Sequence, residues 1–287
     1  MNPEHTLAES VRLTLGCDVD SISPLSGGSV GEVYRANTSE HGAVVIKVDR
    51  SEDARLNLEG DMLLYLSTDS NLPVPGVLHS SPGLLIMQML PGSSTFSASG
   101  EQHAADLLAE LHTIQNSDFG FDYDTLIGSL HQPNSVTEEW IPFLRDHRLL
   151  DMAQHAYRES RMGLNTLNRI EKFASNLEQW IDEPEHPALL HGDVWTTNVL
   201  ADSDKIIGFI DPAIYYGHPE IELAFITLFN TFGSAFFDRY SEHHPIDSDF
   251  FTTRKDIYNL YPLLVHVRLF GGSYLRSVES IIARFGY

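Results

Sequence analysis

An α+β chain of two lobes is what the sequence predicts, and three observations carry that expectation. Short β-rich runs cluster between Ile22 and Leu90, helical stripes dominate beyond Gly100, and 287 residues suffice for two lobes sharing a core. Residues 1–90 read as a small antiparallel sheet with one main helix, and residues 91–287 as a larger, mostly helical lobe.

In chain order, Leu7 to about Leu15 reads as a short amphipathic helix. Gly31–Arg35, Val44–Val48 and Leu84–Met87 read as strands. Between the last two, Leu56, Glu59, Met62, Leu63 and Leu66 recur at helical spacing, so Glu59 shares a face with apolar residues. Pro91-Gly92 and the Ser/Gly-rich stretch through Gly100 read as a connector. Leu107, Leu108, Leu111 and Ile114 then form one helical stripe, and Ile170 to Ile181 carries another. Ile257 to Phe270 reads as a largely buried helix stopped by Gly271-Gly272.

Composition narrows the function classes. Hydrophobic residues make up 42% and charged residues 20%, which is globular. The net charge of −22, from 40 acidic against 18 basic residues, repels phosphate backbones and anionic lipid, so neither nucleic acid nor a membrane surface is an expected partner. Cys17 is the only cysteine, which excludes an intrachain disulfide and suits a reducing compartment. Met1–His5 lacks a basic region leading into an apolar run, so no secretory leader is expected. The most apolar stretch, Leu223 to Phe237, is interrupted by Asn230, Gly233 and Ser234. No membrane span is expected, and the cytoplasm is the expected location.

The chemistry concentrates in His191-Gly192-Asp193-Val194-Trp195-Thr196-Thr197-Asn198, followed by the apolar strand Ile206–Ile210 and then Asp211-Pro212-Ala213. Phosphoryl transfer from ATP needs an oriented acceptor hydroxyl and cations on the phosphates. Asp193 is the expected base, and Asn198 and Asp211 are the expected oxygen ligands of Mg²⁺. Each element alone is weak, because an Asp before Pro is commonly a turn residue and Asn198 could be a turn amide. In order, with a strand between, they are specific. His191 reads as a brace for the loop.

Upstream stand the groups such a site requires. Gly27, Gly28 and Ser29 lie in a Gly-rich hairpin whose N–H groups could approach phosphates, although it matches neither G-x-G-x-x-G nor a P-loop. Lys47 ends an apolar strand, where an unpaired ammonium is costly, and pairing with Glu59 resolves both oddities. Adenine would lie against Leu84–Leu90, bonding to backbone at Gln88, Met89 and Leu90.

This ordered set resembles the aminoglycoside phosphotransferase and choline kinase branch of the protein-kinase-like superfamily, which implies a bilobal protein-kinase-like fold. A narrower resemblance, to the fructosamine kinase (ketosamine-3-kinase) family, rests on further segments. These are Phe119-Gly120-Phe121, Gly128-Ser129-Leu130, Gln132-Pro133-Asn134, Trp140, Phe143, Arg148-Leu149, Asp211–His218 and Leu269–Tyr274. It implies ATP-dependent phosphorylation of the 3-hydroxyl of a sugar adduct on an amine or a protein lysine, and a role in reversing glycation. Trp195, two positions past the base, suits the C–H face of a sugar or a packing role equally. Tyr215 and His218 are expected either on the same acceptor wall or bracing the loop after Asp211; Glu220 and Glu222 read as loop braces. His243-His244 lacks a third ligand at suitable spacing and needs no metal. Competing readings are a kinase of the same fold for another small acceptor, such as an amino alcohol or aminoglycoside, and a non-catalytic pseudokinase. A monomer is the expected state.

Overall fold

The computed structural model describes residues 3–25 and 31–287, so Gly27, Gly28 and Ser29 lie outside the described residues. The chain runs α1 (Pro3–Leu15), β1 (Val19–Pro24), β2 (Glu32–Thr38), β3 (Gly42–Val48), α2 (Leu56–Asp69), β4 (Val77–Ser81) and β5 (Leu84–Gln88). It continues through α3 (Ala98–Leu111), β6 (Thr125–Ile127), β7 (Leu130–Gln132), α4 (Trp140–Phe143), α5 (Asp151–Arg158) and α6 (Leu164–Ala174). Next come β8 (Ala188–Leu190), β9 (Val199–Asp202), β10 (Lys205–Phe209) and β11 (Tyr215–Gly217). Four helices complete it: α7 (Pro219–Leu228), α8 (Ser234–His243), α9 (Lys255–Phe270) and α10 (Ser273–Arg284).

The chain divides into two compact units, Met1–Gly100 with Thr197–Pro212, and Glu101–Thr196 with Ala213–Tyr287. This differs from a single cut near Leu90. Beyond Leu90 the backbone of Ser93 exchanges hydrogen bonds with Ala201 at 2.9 and 2.8 Å, and Ser94 Oγ donates to Val199 O at 3.0 Å. Those long-range bonds tie the connector to the β9–β10 hairpin and carry both into the first unit.

The first unit is built on a five-stranded antiparallel sheet in the order β1-β2-β3-β5-β4. Alternation along β3 sorts its two faces. Val44, Ile46 and Val48 pack with Leu7 and Val11 of α1, while Val45 packs with Leu56 and Leu63 of α2 and with Leu85 and Met87. Lys47, one residue from Ile46, therefore falls on the face that α2 covers.

In the second unit β8 pairs with β11, and β6 with β7, both antiparallel. The α9 helix is buried along Ile257–Val267, with Pro262 inside it. The stripe read through Ile181 is shorter as a helix: α6 ends at Ala174, and a 3₁₀ turn, Leu177–Gln179, follows. There the Asn176 carboxamide donates back to Lys172 O at 2.7 Å, competing with helical bonding.

Candidate active site

In the first unit the Lys47 ammonium bridges two carboxylates, Glu59 Oε1 at 2.7 Å and Asp211 Oδ1 at 2.5 Å. The register that places it is local: Lys47 faces Leu85 of β5 and Val33 of β2, so its stem is covered and only its head is polar. Burial works against the ammonium, but the charges of Asp211 and Glu59 outweigh it and hold the Lys47 pKa above its ordinary value. Burial pushes the Glu59 carboxyl up, opposed by Lys47 and reinforced by Asp211. One cation is thus shared by two acids.

Asp211 adopts φ 54°, a left-handed conformation that costs a non-glycine residue about 1 kcal/mol or more. The β9–β10 hairpin supplies the framework, pairing Phe209 with Val199, and Ile210 N donates to Asn198 O at 2.9 Å. Asn198 and Asp211 thereby flank the same end of one hairpin. An amide oxygen and a carboxylate oxygen are hard donors of the kind Mg²⁺ prefers. Among the described residues no group of three or more His, Cys, Asp or Glu side chains could hold a metal ion. A cation here would draw its other ligands from phosphate and water, as Mg²⁺ ordinarily does. The residues fit Mg²⁺.

The adenine-side expectation is narrowed. Gln88 N donates to Gly76 O at 2.8 Å and Met89 N to Ala43 O at 3.1 Å, so both N–H groups are spent within the protein. Beside the Gly-rich segment, Gly31 adopts φ 69°, and a Cβ there would meet Val48 O at 2.3 Å. Only glycine fits.

In the second unit the loop after β8 carries His191, Gly192 and Asp193. Its backbone is held by Glu222 of α7, whose carboxylate accepts from Gly192 N at 2.6 Å and from His191 N at 3.4 Å. His112 Nε2 lies 3.0 Å from the same carboxylate, and His112 Nδ1 lies 2.7 Å from the Tyr240 hydroxyl. Burial alone would raise the Glu222 pKa; the hydrogen bond and charge of His112, with His191 and Gly192 N–H, lower it below the ordinary value. His191 braces the loop, since its Nδ1 accepts from Asp193 N at 3.3 Å and its carbonyl accepts from Ala213 N at 2.8 Å. Gly192 adopts φ 85°, and a Cβ on it would stand 2.1 Å from Ala213 O. That explains glycine between the histidine and the aspartate.

Trp195 is half-buried and packs against Phe229 with ring centroids 5.4 Å apart. Tyr215 does not stand on an open wall, whereas His218 is half-buried. Tyr215 is buried, with the Arg148 guanidinium 3.9 Å over its ring and Phe143 beside it. His218 is the N-cap of α7, its Nδ1 accepting from Glu220 N at 3.1 Å, and burial lowers its pKa to about 4. Both make contacts of the bracing kind. Glu220 is itself held by Arg254 through two bonds of 2.8 and 2.7 Å. His243 Nε2 lies 2.7 Å from Asp106 Oδ1 and His244 Nε2 lies 3.0 Å from Ala109 O. The roles of His112 and Tyr240 are not legible in the sequence, because each depends on a partner far along the chain.

Comparison with known proteins finds relatives that match over nearly the whole chain. A plant protein-ribulosamine 3-kinase, from Oryza sativa subsp. indica, is 32% identical over 92% of this chain and 78% of its own length. A protein assigned as a ketoamine kinase in Enterococcus faecium is 32% identical over 92% of this chain and 95% of its own. A solved structure assigned as a fructosamine-3-kinase of Thermobifida fusca superposes with a TM-score of 0.87 at 26% identity, covering 97% of both chains. A macrolide 2'-phosphotransferase shares the fold at a TM-score of 0.67 and 14% identity, covering 99% of this chain and 97% of its own. The model of the fructosamine kinase family matches residues 4–285, and the chain belongs to that family of ATP-dependent kinases.

Proposed function

We infer that this kinase transfers the γ-phosphoryl group of ATP to the 3-hydroxyl of fructosamine- or ribulosamine-type ketosamines. The observation that carries the reading is the Lys47 ammonium bridging Glu59 and Asp211, beside Asn198, within one unit. Lys47 neutralises the α- and β-phosphates, with Glu59 fixing its reach. Asn198 and Asp211 would hold Mg²⁺, which when bound would screen the phosphate charge. Asp193 orients the acceptor hydroxyl and accepts its proton as O3 bonds to the γ-phosphorus and the bond to the β-phosphate oxygen breaks. Adenine bonds to backbone near Leu90, with the glycines at 27 and 28 and Ser29 over the phosphates. Trp195, with Phe229 behind it, offers an aromatic face to the sugar. Tyr215 and His218 brace the acceptor side without touching substrate.

Phosphate on C3 is a better leaving group than hydroxide, so the product sheds it through its C1–C2 enaminol, and hydrolysis then frees the amine. This chemistry reverses glycation. The enzyme acts as a monomer in the cytoplasm. A coupled assay of ADP release over fructosyl-lysine, ribulosyl-lysine, choline and an aminoglycoside tests the reading. Turnover confined to the two ketosamines is expected, and turnover confined to the other pair would overturn it.

A further inference from the structure

Several polar side chains that mark the family make no contact expected of a kinase site, yet they are wholly buried in the second unit. Gln132 ends β7 and Asn134 follows Pro133, and Arg148 lies in a π-helical stretch, Leu144–Leu150. Their hydrogen bonds form a directed chain. Arg148 Nη2 donates to Asn134 Oδ1 at 2.7 Å and Nη1 to Pro133 O at 2.7 Å, while its guanidinium is sandwiched by aromatic rings rather than paired with a carboxylate. Asn134 Nδ2 donates to Thr125 Oγ1 at 2.8 Å, and Thr125 in turn donates to Ile214 O at 3.3 Å. Tyr261 O–H donates to Gln132 Oε1 at 2.5 Å, and Gln132 Nε2 donates to Thr125 Oγ1 at 2.8 Å and to Ala213 O at 3.0 Å.

This wiring permits one orientation of the Gln132 carboxamide. A flipped amide would set its oxygen against the Ala213 carbonyl and against Thr125 Oγ1, whose own hydrogen goes to Ile214 O. The Tyr261 pKa is raised by burial, so the hydroxyl keeps its proton and holds the amide in place.

The network ends where the catalytic loop is fixed. Ala213 O, the acceptor of Gln132, is the atom that any Cβ on residue 192 would strike, and Ala213 N donates to His191 O at 2.8 Å. Gly192, Glu222, Tyr215 and Tyr261 line one small cavity. Glu222 thus holds the loop by its N–H groups on one side, and Ala213 abuts it on the other. Ala213 also follows Asp211 by two residues in the chain.

We propose that Gln132 is a positioning residue for phosphoryl transfer: its carboxamide, oriented by Tyr261, fixes the Ala213 carbonyl and through it the His191–Asp193 backbone. The proposal rests on the reading of Asp193 as base. A displacement of the base by a fraction of an ångström lowers turnover without removing any group that binds substrate.

Gln132→Met keeps the length and removes the donor, and Tyr261→Phe keeps the ring and removes the hydroxyl that orients the amide. With fructosyl-lysine and ATP, Gln132→Met is expected to lower kcat about 10- to 100-fold and Tyr261→Phe about 3- to 10-fold, with both KM values within about threefold. Amide exchange at residues 191–193 and 213–216 is expected to quicken about tenfold in Gln132→Met, with other segments unchanged. Folded variants with kcat within about twofold of the parent overturn the proposal, and so does a joint fall of kcat, both affinities and melting temperature, which would mark a merely structural role. If Gln132→Met does not fold, Tyr261→Phe decides, and failure of both to fold also overturns it. Asp193→Ala in the same assay separates the two ideas: retained transfer there breaks the base assignment, whereas its loss beside an unaffected Gln132→Met breaks only the positioning role.

Discussion

The two units fix their proposed reacting groups by opposite means. In the first, charge holds charge: Lys47 is anchored by Glu59 and Asp211, and the Asp211 side chain remains 31% exposed. In the second, the loop carrying Asp193 is held by its own backbone, with Glu222 taking its N–H groups and Gln132 securing the neighbouring carbonyl, both from buried positions. A group that must greet a nucleotide has to exchange partners, so its contacts are electrostatic and partly open. A base whose use depends on angle and distance is better served by neutral donors and a buried carboxylate that never leave. Each mode predicts its own pattern of failure.

The largest effect is expected at Asp193, the proposed base. Asp193→Ala should lower kcat by about 10³ or more while nucleotide affinity stays within a few-fold, because the nucleotide's charges are met in the other unit. Steady-state rates set beside a direct nucleotide titration check this; affinity falling in step with kcat would erase the contrast. Next comes Lys47→Met, expected to weaken ATP binding and turnover together by about 10²-fold. It also strands a buried carboxylate, at a cost of about 3–5 kcal/mol in stability. Adding Glu59→Leu should restore the unfolding midpoint but not the activity. Recovery of activity in that double variant would show that the pair is structural.

Gly192→Ala should come third, and through geometry alone. An alanine must either hold φ 85° with its Cβ 2.1 Å from Ala213 O or push the loop away. A loss of kcat of about 10- to 100-fold with unchanged nucleotide affinity is expected. An alanine variant of parental activity would remove the case for close packing there.

How much of this could be read beforehand follows from the same contrast. Lys47 and Glu59 were legible because each is a charge on an otherwise apolar face, and each oddity explains the other. Asp193, Asn198 and Asp211 were legible as an ordered motif. Gln132, Tyr261 and His112 were not, for a polar residue buried against a partner more than a hundred positions away in sequence leaves no periodic mark: Tyr240 for His112, Tyr261 for Gln132. The membership of Thr197–Pro212 in the first unit was hidden likewise, since it depends on pairing of Ser93 with Ala201. Strands β6 and β7 are too short to show alternation. Tyr215 and His218 illustrate the converse: aromatic residues next to a catalytic motif look like a pocket wall, while the fold uses one against a buried arginine and the other as a helix cap.

The smallest expected effect belongs to that cap and is read in stability. Burial, offset in part by Glu220, lowers the His218 pKa from 6.5 to about 4, so between those values the unfolded chain binds more protons than the folded one. Stability must therefore fall as pH drops from 6.5 toward 4, and by pH 5 this one group should cost about 2 kcal/mol. Asparagine can accept the same bond from Glu220 N without titrating. Urea midpoints of the parent and of His218→Asn, compared at about pH 7.5 and pH 5, should diverge by that amount, the variant losing less. Parallel slopes would mean that His218 takes up its proton in the folded state at the ordinary pH, so that the cap is open to water and could again be counted among residues available to substrate.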